Sequence, residues 1–168
     1  MQDLGSENAE KICEGFLETT ARALLARDFE TFAACFLLPH TIETPDHKTV
    51  LKTPAALRNV FDRVCEDYQN RRLTDLMRFI EVAEFRGPNR IEVMYVTHMM
   101  SGNHRVVDPF PCYSVVERIG DTWLIASSQY AVDQSASVGR ALSLGKFDNP
   151  ATTTASPAQT GDPTKRES

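Results

Sequence analysis

His40, Glu81 and the four tyrosines are the side chains in this sequence best suited to acid–base work. His40 follows Pro39 in "CFLLPHTIETPDHKTVLKTP", residues 35–54. An imidazole there serves either as a base at the mouth of a pocket or as a donor to the free carbonyls that end a helix. Glu81 stands in "FIEVA" among apolar neighbours. Pointing inward, it would lose solvation and its carboxyl would titrate closer to neutral pH, the condition for general acid chemistry. Tyr68, Tyr95, Tyr113 and Tyr130 offer hydroxyls to a developing oxyanion, although a tyrosine on a helix or strand is more often core with one satisfied hydroxyl.

Other chemistries find less support. Asp46-His47 beside His40, and His98, His104 and Asp108 in "THMMSGNHRVVD", suggest metal ligands. His47 and His104 fall in predicted turns, however, and a metal needs three or four converging groups, so no metal and no cofactor is expected. Cys13, Cys35, Cys65 and Cys112 lie tens of residues apart without a C-x-x-C pair, which reads as reduced, mostly buried thiols. The absence of G-x-S-x-G, a Walker loop and G-x-G-x-x-G removes the common hydrolase, NTPase and dinucleotide readings.

A chain of 168 residues supports one domain with a sizeable core. The formal charge of −5 and the pI of about 5.4, with no cluster of Lys or Arg, argue against nucleic acid and anionic membranes as partners. "MQDLGSENAEK" lacks the basic and apolar regions of a signal peptide, and no window approaches the ~18 apolar residues of a membrane span. A cytoplasmic location is expected.

The elements that must position these residues follow from periodicity. Ile12, Phe16, Thr20 and Leu24 at four-residue steps predict a first helix over residues 7–27. Asp28 caps a second, with Phe29, Phe32, Ala33 and Phe36 on its apolar face, that Pro39 ends. "HTIETPDHKTVLKT" alternates, which predicts a hairpin around Pro45-Asp46 with His40, Ile42, Thr44, Thr49 and Leu51 facing inward. Thr53-Pro54 opens a third helix carrying Leu57, Val60, Phe61, Val64 and Tyr68 on one side. Turn signals then divide the chain into antiparallel strands at roughly 74–86, 90–100, 105–118 and 122–132, the third bent by Pro109 and Pro111. Residues 1–133 make one domain on this reading. Residues 134–168 lose apolar pattern and should be weakly helical, then disordered.

Register decides what faces the interior. With Gly87-Pro88-Asn89 as a three-residue loop, Arg86 opposes Arg90, and Phe79, Glu81, Ala83 and Phe85 share a face with Thr97, Tyr95, Val93 and Ile91. The predicted binding set is therefore His40, Ile42, Thr44, Tyr68, Phe79, Glu81 and Tyr95, with His40 and Glu81 as the catalytic candidates. "IEVMYVTHMM" is apolar on both parities; helices cover one side, and a second copy of the chain is expected on the other.

This order of elements is similar to that of the nuclear transport factor 2-like superfamily, which includes ketosteroid isomerases, scytalone dehydratase and SnoaL-like polyketide cyclases. "DFETFAACFLLPHTIETPD", "TPAALRNVFDRV" and "GDTWLIASSQYAV" carry the resemblance, which covers roughly residues 7–132. It implies an α+β fold, a cone-shaped barrel in which three helices pack in a curved, mainly antiparallel mixed sheet, with a deep, often apolar pocket and frequent homodimers. Ketosteroid isomerases carry their aspartate general base immediately before a proline, and the matching position here is Thr44. A threonine hydroxyl does not take a proton from a carbon acid at neutral pH. The expectation is a dimerising domain that binds a small apolar or aromatic ligand without recognisable catalytic machinery. The alternative is a cofactor-independent isomerase, dehydratase or cyclase whose acid–base groups have moved to His40, Glu81 and a tyrosine.

Overall fold

The computed structural model describes residues 8–132, so the expected tail at 134–168 lies outside the described residues. Helix α1, Ala9–Ala26, starts where the Asn8 side chain accepts from the Glu10 N–H at 3.0 Å, and ends at Arg27 in the left-handed conformation with φ 57°. Helix α2, Phe29–Ala33, is capped by the Asp28 carboxylate, which accepts from the Thr31 N–H at 3.2 Å and its hydroxyl at 2.6 Å. Helix α3, Pro54–Asn70, has Thr53 as its cap and buries Leu57, Val60, Phe61, Val64 and Tyr68, the predicted face. Among the described residues no helix is long and apolar enough to cross a membrane.

The second helix is shorter than expected. Strand β1, Phe36–Glu43, begins three residues before Pro39, and the proline lies inside it. Pro39 costs the sheet no ladder bond, because it sits where the register of β1 against its neighbour shifts, between Phe36 and Thr41, and the other neighbour begins only at His40. The remaining strands are β2 Lys48–Leu51, β3 Asp75–Phe85, β4 Arg90–Ser101, β5 His104–Arg105, β6 Phe110–Ile119 and β7 Thr122–Tyr130. They form one curved sheet in the order β2-β1-β7-β6-β4-β3, with β5 on β4; every pairing is antiparallel except β1 with β7. The third predicted strand is thus two pieces, β5 and β6, parted around Pro109.

Ile91, Val93, Tyr95, Thr97 and Met99 of β4 are buried against the helices, and Met94 on the opposite parity is 44% exposed. The β3–β4 loop has the expected length: the Arg86 N–H donates to the Arg90 carbonyl at 2.8 Å, and Phe85 and Ala83 oppose Ile91 and Val93. Farther from the loop the expected pairing fails. Val82 opposes Met94 and Ile80 opposes Tyr95, so Glu81 is the additional residue of a β-bulge. One added residue exchanges the two faces of everything beyond it. Leu76, Arg78 and Ile80 therefore turn inward, while Glu81 is exposed and Phe79 is 56% exposed. The inward placement of Phe79 and Glu81 is corrected accordingly.

Candidate functional site

A cavity of about 80 Å³ lies between α1, α3 and the inner face of the sheet. Phe16, Phe32, Phe61 and Leu57 line it from the helices and Val93, Met99 and Val116 from the sheet. Its polar groups are few: His40, Tyr68, Arg78, Tyr95, Thr97, Ser114, Ser128, Tyr130 and Thr20.

His40 is 1% exposed. Its Nδ1 lies 3.2 Å from the Ile125 carbonyl, which can only accept, so Nδ1 donates and Nε2 keeps the lone pair. The ring stands edge-on to Phe36 with centroids 4.9 Å apart. Burial pushes the imidazole down to about 4, against the upward pull of the Ile125 and Ala126 backbone. His40 is thus a neutral interior group, neither a cap on α2 nor a base at a solvent-facing mouth. Burial also raises the phenols of Tyr68, Tyr95 and Tyr130, which are neutral hydrogen-bond donors at physiological pH. The Tyr95 hydroxyl lies 3.3 Å from Ser114 Oγ, which donates to Ser128 Oγ at 3.3 Å, forming a polar line across β4, β6 and β7.

The cysteines are free and buried. Burial pushes Cys13 up to about 12 and Cys112 to about 11, so neither supplies a thiolate at neutral pH.

Arg78 is the group that the sequence reading missed. Its Nη2 donates to the Leu17 carbonyl at 2.5 Å and to the Thr20 hydroxyl at 2.6 Å, and that hydroxyl donates to the Phe16 carbonyl at 2.7 Å. Its Nε is buried without a hydrogen-bond partner. Among the described residues no carboxylate lies within ion-pair distance of it, and it is the only Arg or Lys lining the cavity. The available signal was a single cation in the apolar run "LMRFI", on the same parity as Leu76 and Ile80.

Of the predicted binding set, His40, Ile42, Tyr68 and Tyr95 come together on the cavity wall. Phe79 and Glu81 do not. Thr44 is buried, but its hydroxyl accepts from the His47 N–H at 3.2 Å within the β1–β2 turn and borders a separate hollow beside Pro111, Tyr113 and Tyr130. Among the described residues no three His, Cys, Asp or Glu side chains converge as a metal site; His98 lies edge-on against Phe79 at 5.4 Å.

No protein-family model matches the chain, and no curated protein matches it. Solved structures do. A domain of unknown function with a cystatin-like fold from Nostoc punctiforme superposes with a TM-score of 0.61 at 16% identity, covering 77% of this chain and 80% of its own. An NTF-2 like protein of unknown function from Shewanella oneidensis gives 0.56 at 12% identity, over 73% and 98% of the two chains. A putative calcium/calmodulin-dependent protein kinase type II association domain from Thiobacillus denitrificans gives 0.58 at 14% identity, over 72% and 94%. At these identities the likeness is one of architecture. The helices, the strand order and these neighbours together give the chain the nuclear transport factor 2-like fold.

Proposed function

We propose that this protein is a binding domain for a small, largely apolar molecule held between the helices and the sheet, and that it works as a homodimer. The observation that carries the reading is the cavity itself: a partly open, mainly apolar space between helices and sheet on which polar side chains converge, the usual form of a small-molecule site. No carboxylate is among its lining residues, and an imidazole held near 4 is a weak base, which supports binding without turnover. The buried free thiols fit a reducing compartment, and a cytoplasmic location is proposed on that ground.

The dimer rests on the outer face of β3 and β4. Met77, Phe79, Val82 and Met94 are exposed there, and the band ends in the ion pairs of Arg86 with Glu84 at 2.9 Å and with Glu92 at 3.0 Å. An apolar centre with a charged rim is the anatomy of a protein interface. The Thiobacillus neighbour, described as an association domain, is consistent with a fold that assembles.

The test is a small-fragment titration followed by methyl NMR. Met99, Val93, Val116 and Ile125 line the cavity, and Met77 and Met94 lie outside it as internal controls. Binding at the cavity shifts the first group and spares the second; shifts confined to the outer methyls would overturn the reading. His40 and Tyr95 in one cavity favour a second reading, a cofactor-independent isomerase, dehydratase or cyclase. That reading requires exchange of a ligand's α-proton in deuterated water, whereas the binding reading expects none.

A further inference from the structure

We propose that the cavity ligand is a short-chain carboxylate, its carboxyl group held by Arg78 and its hydrocarbon tail by the apolar wall. The inference rests on the binding reading above and names the chemical class of the molecule bound.

Arg78 lines an apolar cavity and carries a charge that no carboxylate among the described residues answers. A buried lysine would relieve such a position by losing its proton; a guanidinium keeps its charge at every physiological pH. The acceptors it has, the Leu17 carbonyl and the Thr20 hydroxyl, are both neutral and both on Nη2. Nε, buried and unpartnered, remains a free donor. Glu14 and Glu18 border the groove between α1 and β3 that Arg78 also touches, but neither pairs with it. The missing element is an acceptor with negative charge.

The neighbouring groups select a carboxylate over a bulkier or more highly charged anion. Arg presents its donors in a planar fork that fits two carboxylate oxygens. Tyr68, Tyr95 and Tyr130 line the same cavity, and each feels the Arg78 charge, which acts to lower its phenol while burial raises it. Their hydroxyls are neutral donors of the kind that complete the shell of a single negative charge. The space sets the tail. At about 80 Å³ the cavity is roughly half the ~150 Å³ of a protein hole that accepts benzene, which leaves room for about three or four non-hydrogen atoms, a carboxyl group with one methyl.

The experiment compares acetate with acetamide, its neutral counterpart, on the full chain at fixed ionic strength. It follows the cavity methyls and the Arg78 Nε–H resonance. Acetate is expected to bind at least ~10-fold more tightly than acetamide, the difference a hydrogen bond between charged groups makes, and to shift the Nε–H signal. Arg78→Met, checked for native circular dichroism, should abolish the preference, so that the two probes bind alike. Equal binding of the two probes, or a preference that survives in Arg78→Met, overturns the carboxylate assignment and leaves the cavity reading standing. Failure of both probes to bind, with a screen of neutral fragments also negative, removes the cavity reading as well. Should Arg78→Met not fold, the wild-type preference and the Nε–H shift decide the matter together: both must be present.

Discussion

His40 is held near 4 in the folded chain and titrates at about 6.5 in an unfolded one, so between those values the unfolded state binds the extra proton. Stability from this residue is complete above pH ~6.5 and falls as the pH drops toward 4. The loss is about 2 kcal/mol by pH 5 and roughly 3 kcal/mol in all. Urea denaturation at pH 7.5 and pH 5 should show it, and His40→Gln should flatten the difference while lowering stability at both. An unchanged pH dependence in the variant would show that His40 is not the group responsible. The residue's chemical type was legible from the chain; its environment was not. "LLPHTI" reads equally as the end of a helix and the start of a strand, and only the Ile125 carbonyl, 85 residues away in sequence, makes His40 interior.

At the scale of elements, what could be read was what local pattern determines. The Gly87-Pro88-Asn89 loop set Arg86 against Arg90, and that register put Ile91, Val93 and Tyr95 of β4 on the inner face, with Met94 out, although the strand is apolar on both parities. Strand β3 is apolar on both parities, so nothing in "LMRFIEVAEF" announces that Glu81 is an added residue. The bulge is fixed by tertiary contacts instead: Arg78 needs the Leu17 carbonyl and Thr20 on one side of it, and the hairpin fixes Ala83 and Phe85 on the other. The two substitutions that probe it should differ sharply. Glu81→Ala keeps the chain length and should change stability by no more than about 0.5 kcal/mol. Deleting Glu81 forces either Leu76 and Ile80 out of the core or the hairpin out of register, at roughly 3–6 kcal/mol for two aliphatic side chains. Thermal melts of the two variants would check this; a deletion as stable as the substitution would mean the bulge carries no structural weight.

For the whole molecule, the proposed dimer rests on the outer β3–β4 band. Light scattering at micromolar concentration should give twice the 18.8 kDa chain mass. Phe79→Asp should weaken the dimer by roughly 10- to 100-fold, the loss expected when one large apolar side chain is no longer buried, with the cavity methyls unchanged. A wild-type monomer would reject the assembly and leave the cavity untouched. The order of the strands has a different consequence. Strand β7 is the last made of the seven, yet it lies inside the sheet, between β1 and β6, and it supplies Ile125, Ser128 and Tyr130 to the cavity wall. During synthesis the three helices and β1 leave the ribosome long before their closing partner exists. Pairing β1 with β7 means closing a loop of some 85 residues, the slow kind of contact in folding. The cavity is therefore complete only once β7 has paired, and a molecule that filled it would stabilise the closed state alone, drawing newly made protein toward it.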